Sequence, residues 1–139
     1  MEKIFDIHIV FKEYAEVKTP EELVKLISFG GKTQTRWFTG EVLPGGVDVQ
    51  TLGADGTGKV SARYILQGMD QSGMPCKVYV ENEGIIDERG AMHTMPKVLT
   101  DSVALAWLNS TQLHCEFASV GEEFHVQLFA EEIPTGSAG

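Results

Sequence analysis

Four polar residues stand inside otherwise apolar, strand-like runs, and they are the first candidates for chemistry. Asp48 lies between Val47 and Val49, and Arg63 between Ala62 and Tyr64. Asn82 closes the run Val78-Tyr79-Val80-Glu81, and Asn109 follows Trp107-Leu108. A carboxylate among apolar neighbours can serve as a general base whose pKa is set by burial, raising it, or by a cationic neighbour, lowering it. A guanidinium in the same interior would hold a carboxylate or a developing oxyanion. It could not stay unpaired there. Alternation permits the opposite arrangement as well, with Ser61, Arg63 and Gln67 in solvent and Val60, Ala62, Tyr64 and Leu66 in the core.

Other chemistry finds less support. Gly53-Ala54-Asp55-Gly56-Thr57-Gly58 looks like a phosphate-cradling loop, but such loops open a helix. Here an alternating run follows, so Asp55-Gly56 reads as a hairpin tip. The four histidines, His8, His93, His114 and His125, show no H-x-H or H-E-x-x-H spacing. His114 and Glu116 share a strand face and His125 lies across the last hairpin, yet solvent-facing hairpin positions account for them, so no metal and no cofactor is expected. No serine stands in a G-x-S-x-G elbow, so nucleophilic hydrolysis has no support.

Eleven basic residues against twenty acidic ones give a net charge of −9 over 139 residues, with no basic cluster. That disfavours nucleic acid and anionic membranes as partners. No apolar stretch reaches the ~18 residues of a membrane span. Residues 1 to 10 carry Glu2, Asp6 and His8, unlike a signal peptide. Cys76 and Cys115 sit in apolar runs, as buried free thiols of a reducing, cytoplasmic compartment would.

The elements that must position the polar set are mostly strands. Phe5, Ile7, Ile9 and Phe11 alternate with Asp6, His8, Val10 and Lys12. Thr19-Pro20-Glu21-Glu22 has the form of a helix start, with Leu23, Val24, Leu26 and Ile27 as an apolar face and Gly30-Gly31 as the stop. From Lys32 onward the chain reads as short strands broken at Pro44-Gly45-Gly46, Asp55-Gly56, Asp70–Gly73, Asp87–Gly90 and Val120–Glu123. Residues 103 to 108 could be helix or strand, with Trp107 as an anchor. The reading is all-β: a single antiparallel barrel of roughly eight strands over residues 1–133, with at most one short helix and a tail from 134 to 139. Closure removes exposed sheet edges.

The order of motifs carries a resemblance. Gly40-Glu41-Val42-Leu43-Pro44-Gly45-Gly46-Val47-Asp48, Asp55-Gly56, Ser61-Ala62-Arg63-Tyr64, Val78-Tyr79-Val80-Glu81-Asn82-Glu83-Gly84 and Trp107-Leu108-Asn109 resemble the domain-of-unknown-function 3237 family over about residues 27 to 132. The resemblance implies a single antiparallel β-barrel, similar in shape to allene oxide cyclase and dirigent barrels, with no established activity. The pattern's Asp falls on Asp48, its Arg on Arg63, its Asn residues on Asn82 and Asn109, and its Trp on Trp107. It also implies that Arg63 points into the barrel. Ser61 replaces the usual Asp before A-R-Y, Val49 the usual aromatic, and an upstream G-x-R is missing.

Together these give Asp48 and Arg63 as the candidate catalytic pair. Tyr64, Tyr79, Asn82, Trp107 and Asn109 are candidate ligand contacts. The expected function is binding of a small apolar or carboxylate-bearing molecule, with cofactor-free isomerisation or cyclisation as the matching chemistry. The alternative is a filled, non-catalytic barrel that assembles with itself, a dimer first, through the two-sided apolar pattern from Ile4 to Phe11.

Overall fold

The computed structural model describes residues 1–134, and the expected tail beyond that lies outside the described residues. Nine strands follow in chain order: β1 (Glu2–Lys18), β2 (Glu22–Gln34), β3 (Phe38–Val42), β4 (Val47–Gly53), β5 (Gly58–Asp70), β6 (Pro75–Ile86), β7 (Met92–Thr100), β8 (Leu113–Val120) and β9 (Glu123–Ala130). The one helical element among the described residues is a 3₁₀ turn, Ala106–Ser110. It resolves the ambiguous 103–108 segment. The strands form one antiparallel sheet in the order β7-β6-β5-β3-β2-β1-β9-β8, with β4 pairing β2 and β5 beside β3. The two ends, β7 and β8, come against each other and the sheet curls into a barrel.

The hairpin tips match the turn residues. At Asp55-Gly56, Gly56 takes a φ of 85° and the Asp55 side chain accepts from the Thr57 N–H at 3.0 Å. Alternation on β5 also follows the sequence, with Val60, Tyr64 and Leu66 buried, the latter two beside their ladder partners Val80 and Val78 of β6 on the inner face. At Gly68 a Cβ would run into the Thr39 carbonyl, so the glycine permits the close strand approach that curvature needs.

One expected element is corrected. The segment Thr19–Gly31 is not a helix. The Thr19 hydroxyl accepts from Glu22 N–H at 3.0 Å, and Thr19 N–H donates to the Glu22 carbonyl at 2.7 Å, closing a tight hairpin turn. The chain then runs as β2 between β1 on one side and β3 and β4 on the other. Two flanking partners satisfy its backbone groups, and that long-range pairing outranks the local capping signal. Gly30-Gly31 continues the strand opposite Val10 and Ile9.

The break at Pro44-Gly45-Gly46 is present between β3 and β4, and it takes the form of a bulge that does not reverse the chain. Val42 pairs Leu66 and Val47 pairs Arg63, so four residues, Leu43 to Gly46, face only two, Tyr64 and Ile65. β3 and β4 are therefore one line interrupted by a wide bulge, which leaves the inside–outside alternation intact. Gly46 lies against Phe29 and Tyr64, where a Cβ would meet the Phe29 carbonyl at 2.9 Å. The bulge delivers Asp48 to the barrel interior two residues later.

Candidate functional site

Asp48 pairs with Ala62, and Ala62 with Asn82, in successive ladders. Those three positions share the inner face with Val60 and Tyr64. Together with Phe29 on β2, Thr94 on β7 and Val126 on β9 they line a cavity of about 50 Å³. One buried water needs about 10–15 Å³ on the same measure, so the space suits several waters or a small ring with its substituent. Phe11, Phe117 and Phe124 frame the opening. Phe124 stacks on Phe117 with centroids 6.0 Å apart and on Phe11 at 5.9 Å, and Phe11 is 59% exposed.

The walls are apolar, yet four buried oxygens on them have no hydrogen-bond partner: Asp48 Oδ1, Tyr64 OH, Asn82 Oδ1 and Thr94 Oγ1. Buried polar atoms are nearly always paired, and an orphan costs roughly 1–3 kcal/mol. Each of the two forked groups has its other end tied down. Gln50 Nε2 donates to Asp48 Oδ2 at 2.9 Å. Asn82 Nδ2 donates to Cys115 Sγ on β8 at 3.3 Å. The tied ends fix the rotamers of two groups whose residues line the cavity.

Burial pushes the Asp48 carboxyl above the ordinary carboxylate range, and the Gln50 bond offsets part of that rise. Burial also drives the Tyr64 phenol far above its usual value, so it stays protonated and is a donor. The set thus offers one proton acceptor of raised basicity, two hydroxyl donors and one amide acceptor. No histidine lines the cavity among the described residues. Cys76 and Cys115 carry no disulfide, Cys76 buried and Cys115 half-buried, and burial raises both thiols.

Of the residues expected from sequence, the structure brings Asp48, Tyr64 and Asn82 together and leaves four elsewhere. Arg63 does not point inward. Its neighbours Ala62 and Tyr64 face the cavity, so strand alternation turns Arg63 out, where its side chain is 56% exposed and lies 3.0 Å from Glu83 and 3.9 Å from Glu81. The expected Asp48–Arg63 pair does not form. Because the pair is exposed, Arg63→Ala is expected to leave the urea unfolding midpoint nearly unchanged. A large drop in that midpoint would put the arginine back in the interior.

Tyr79 lies on the same outer face and donates to Glu81 at 2.9 Å. Asn109 brackets Thr100, accepting from its N–H at 2.7 Å and donating to its carbonyl at 3.2 Å, which pins the 3₁₀ turn to the end of β7. Trp107 packs edge-on against Trp37 with centroids 5.7 Å apart, away from the cavity lining. Sequence reading missed Thr94, Gln50 and the three phenylalanines. Thr94 was within reach, since it pairs with Gly84 two places from Asn82 and shares its face.

The comparisons with known proteins agree with this architecture. A family model described as "Protein of unknown function (DUF3237)" matches residues 1–93. A UPF0311 protein of Clostridium acetobutylicum is 41% identical over 64 residues, which is 46% of this chain and only 37% of that relative's length. A crystal structure of a protein of unknown function from the same organism superposes with a TM-score of 0.74 at 26% identity, covering 91% of this chain and 93% of the other. A β-barrel-like protein from Acinetobacter baumannii gives 0.72 at 16% identity, covering 93% of each chain. An enzyme from Penicillium herquei gives 0.70 at 21%, covering 92% of each.

Proposed function

The chain belongs to the DUF3237 family of unknown function, and from that premise we propose that its barrel binds one small, uncharged, mostly apolar molecule bearing hydroxyl or carbonyl oxygens, on which Asp48 moves a proton. One observation carries the reading: four buried oxygens without a protein partner belong to residues that line one apolar cavity. A ligand oxygen beside them would supply bonds that no protein group makes. Asp48 Oδ1 would take a proton from a carbon or hydroxyl of the ligand. The Tyr64 phenol, with the Thr94 hydroxyl, would donate to the oxygen on which negative charge develops. Enolisation, double-bond isomerisation and ring closure onto a hydroxyl all fit that set.

With Arg63 outside, a carboxylate-bearing ligand loses its counter-ion and would meet Asp48 as the charged group of the cavity. The neutral ligand class is therefore favoured. The Penicillium herquei enzyme shares the fold at an identity that speaks for architecture and not for activity.

The reading is tested by melting the protein with phenol, cyclohexanone and benzoate at neutral pH. Phenol and cyclohexanone are expected to raise the midpoint in a saturable way and benzoate to leave it unchanged. No response to either neutral compound, or a stronger response to benzoate, would overturn the reading.

A second reading has its own observation. Val10, Val17 and Leu26 leave apolar surface exposed on the outer face of the β1–β2 hairpin, and Phe11 and Tyr14 on its other face. Such two-sided exposure suits self-assembly, a dimer first. Native mass measurement would separate monomer from dimer.

A further inference from the structure

The outer face of β1 and β9 carries a second group of chemistry-bearing residues, facing away from the cavity. His8 stands directly across from His125 in the ladder. The two imidazoles stack with centroids 3.9 Å apart and planes 24° from parallel. The His125 side chain is only 7% exposed. Its Nδ1 lies 3.0 Å from Asp6 Oδ1, and its Nε2 lies 2.8 Å from Glu123 Oε2. The same Glu123 oxygen is 3.5 Å from His8 Nδ1. One ligand atom from each of Asp6, His8 and His125 falls within 4.8 Å of the other two.

We propose that Asp6, His8 and His125 bind one divalent transition-metal ion of the zinc class on the outside of the barrel, independently of the cavity. Two imidazoles and a carboxylate are the donor set that zinc and its neighbours prefer, with a fourth position left for water. Two cross-strand histidines make a chelate whose backbone spacing is set by the sheet, and binding replaces the Asp6–His125 contact with two bonds to the ion. Glu123, on the other nitrogen of His125, supplies the outer carboxylate that ligating histidines usually keep; it holds the ring and its tautomer.

The sequence hid this set because the residues have no ligand spacing. Asp6 and His8 are separated from His125 by most of the chain, and β1–β9 pairing unites them. The alternative grouping of His125 with His114 does not form, since His114 lies 3.3 Å from Glu131 instead.

Two cations face the cluster. Lys3 Nζ lies 3.0 Å from Asp6 Oδ2, and Lys32 pairs with His8 across the β1–β2 ladder. Lys3 engages the Asp6 oxygen that His125 does not, so Asp6 can give Oδ1 to the ion while Oδ2 keeps Lys3.

The test is titration of the purified, chelator-treated protein with Zn²⁺, read by calorimetry, and with Co²⁺, read by its visible absorption. One ion per chain is expected, with a cobalt spectrum of low coordination number. His8→Ala, at an exposed position that leaves the fold intact, is expected to weaken zinc binding at least 100-fold. Glu123→Gln should weaken it about 10- to 100-fold. His93→Ala, at a surface histidine paired only with Asp87, should change nothing. Absence of stoichiometric zinc binding, or zinc affinity unchanged in His8→Ala, would overturn the proposal and show that the pair holds protons only.

Discussion

Asp48→Asn is expected to slow any isomerisation of 3-cyclohexen-1-one by this barrel by about 10²–10⁴-fold, the usual share of a general base, while making the protein more stable. Both effects have one cause. The Asp48 carboxylate is held inside an apolar wall with a single hydrogen bond, from Gln50, and its Oδ1 has none. Desolvation makes that oxygen a stronger base and also makes the native state bear an uncompensated charge. Asparagine keeps the shape and removes the charge. At neutral pH the gain is expected to be on the order of 1–2 kcal/mol.

The pH dependence follows from the raised folded-state pKa. A carboxyl that holds its proton more tightly folded than unfolded makes stability fall as pH rises from the ordinary carboxylate value through the folded one. Below that window the native carboxyl is neutral, and wild type and Asp48→Asn should converge. The acid limb of the rate profile should likewise lie above the ordinary carboxylate range, because the base must be ionised. Melting curves and initial rates across pH 4 to 8 check both. Equal rates for the two proteins would remove Asp48 from the chemistry. No gain in the variant at neutral pH would mean the carboxylate is well solvated.

What the sequence made legible and what it hid divide along a physical line. Local turn chemistry and period-two alternation are properties of a few neighbouring residues; they placed the Asp55-Gly56 tip and offered Val60, Ala62, Tyr64 and Leu66 as one of two possible inward sets. Alternation also contained the answer for Arg63. If Tyr64 faces in, Arg63 faces out, and the inward placement implied by family resemblance gives way to that parity. The segment after Thr19 misled because helix-start residues also suit a hairpin turn, and only distant partners decide between them. The Leu43–Gly46 bulge was invisible for a similar reason. A Pro-Gly-Gly run signals a break, and whether the chain reverses or bulges depends on what pairs on either side. The cavity set Asp48, Tyr64, Asn82 and Thr94 comes from four strands. Its members can be placed on the inner face one by one, but their convergence is a consequence of barrel closure.

Trp37→Ala is expected to cost about 3–5 kcal/mol, the largest stability effect of any substitution considered. Trp37 lies between β2 and β3, is fully buried, and packs edge-on against Trp107 beside the 3₁₀ turn. Its indole N–H donates to Glu2, which also receives Arg36 through Nε at 2.8 Å and Nη2 at 2.9 Å, while the Arg36 guanidinium sits 4.5 Å from the Trp37 ring centre. One side chain thus ties the start of β1, the β2–β3 connection and the segment before β8. Alanine would remove the ring from a fully buried site against Trp107. The lost transfer energy and the cavity left behind add. The Glu2–Arg36 pair is partly exposed and would survive as a weak surface interaction. Trp37→Phe keeps much of the ring volume and should recover more than half of the loss. Urea unfolding of both variants checks this. Because Trp37 does not line the Asp48 cavity, the folded fraction of Trp37→Phe should still respond to phenol as wild type does. A cost below about 1 kcal/mol for Trp37→Ala would show that the barrel end closes without its indole.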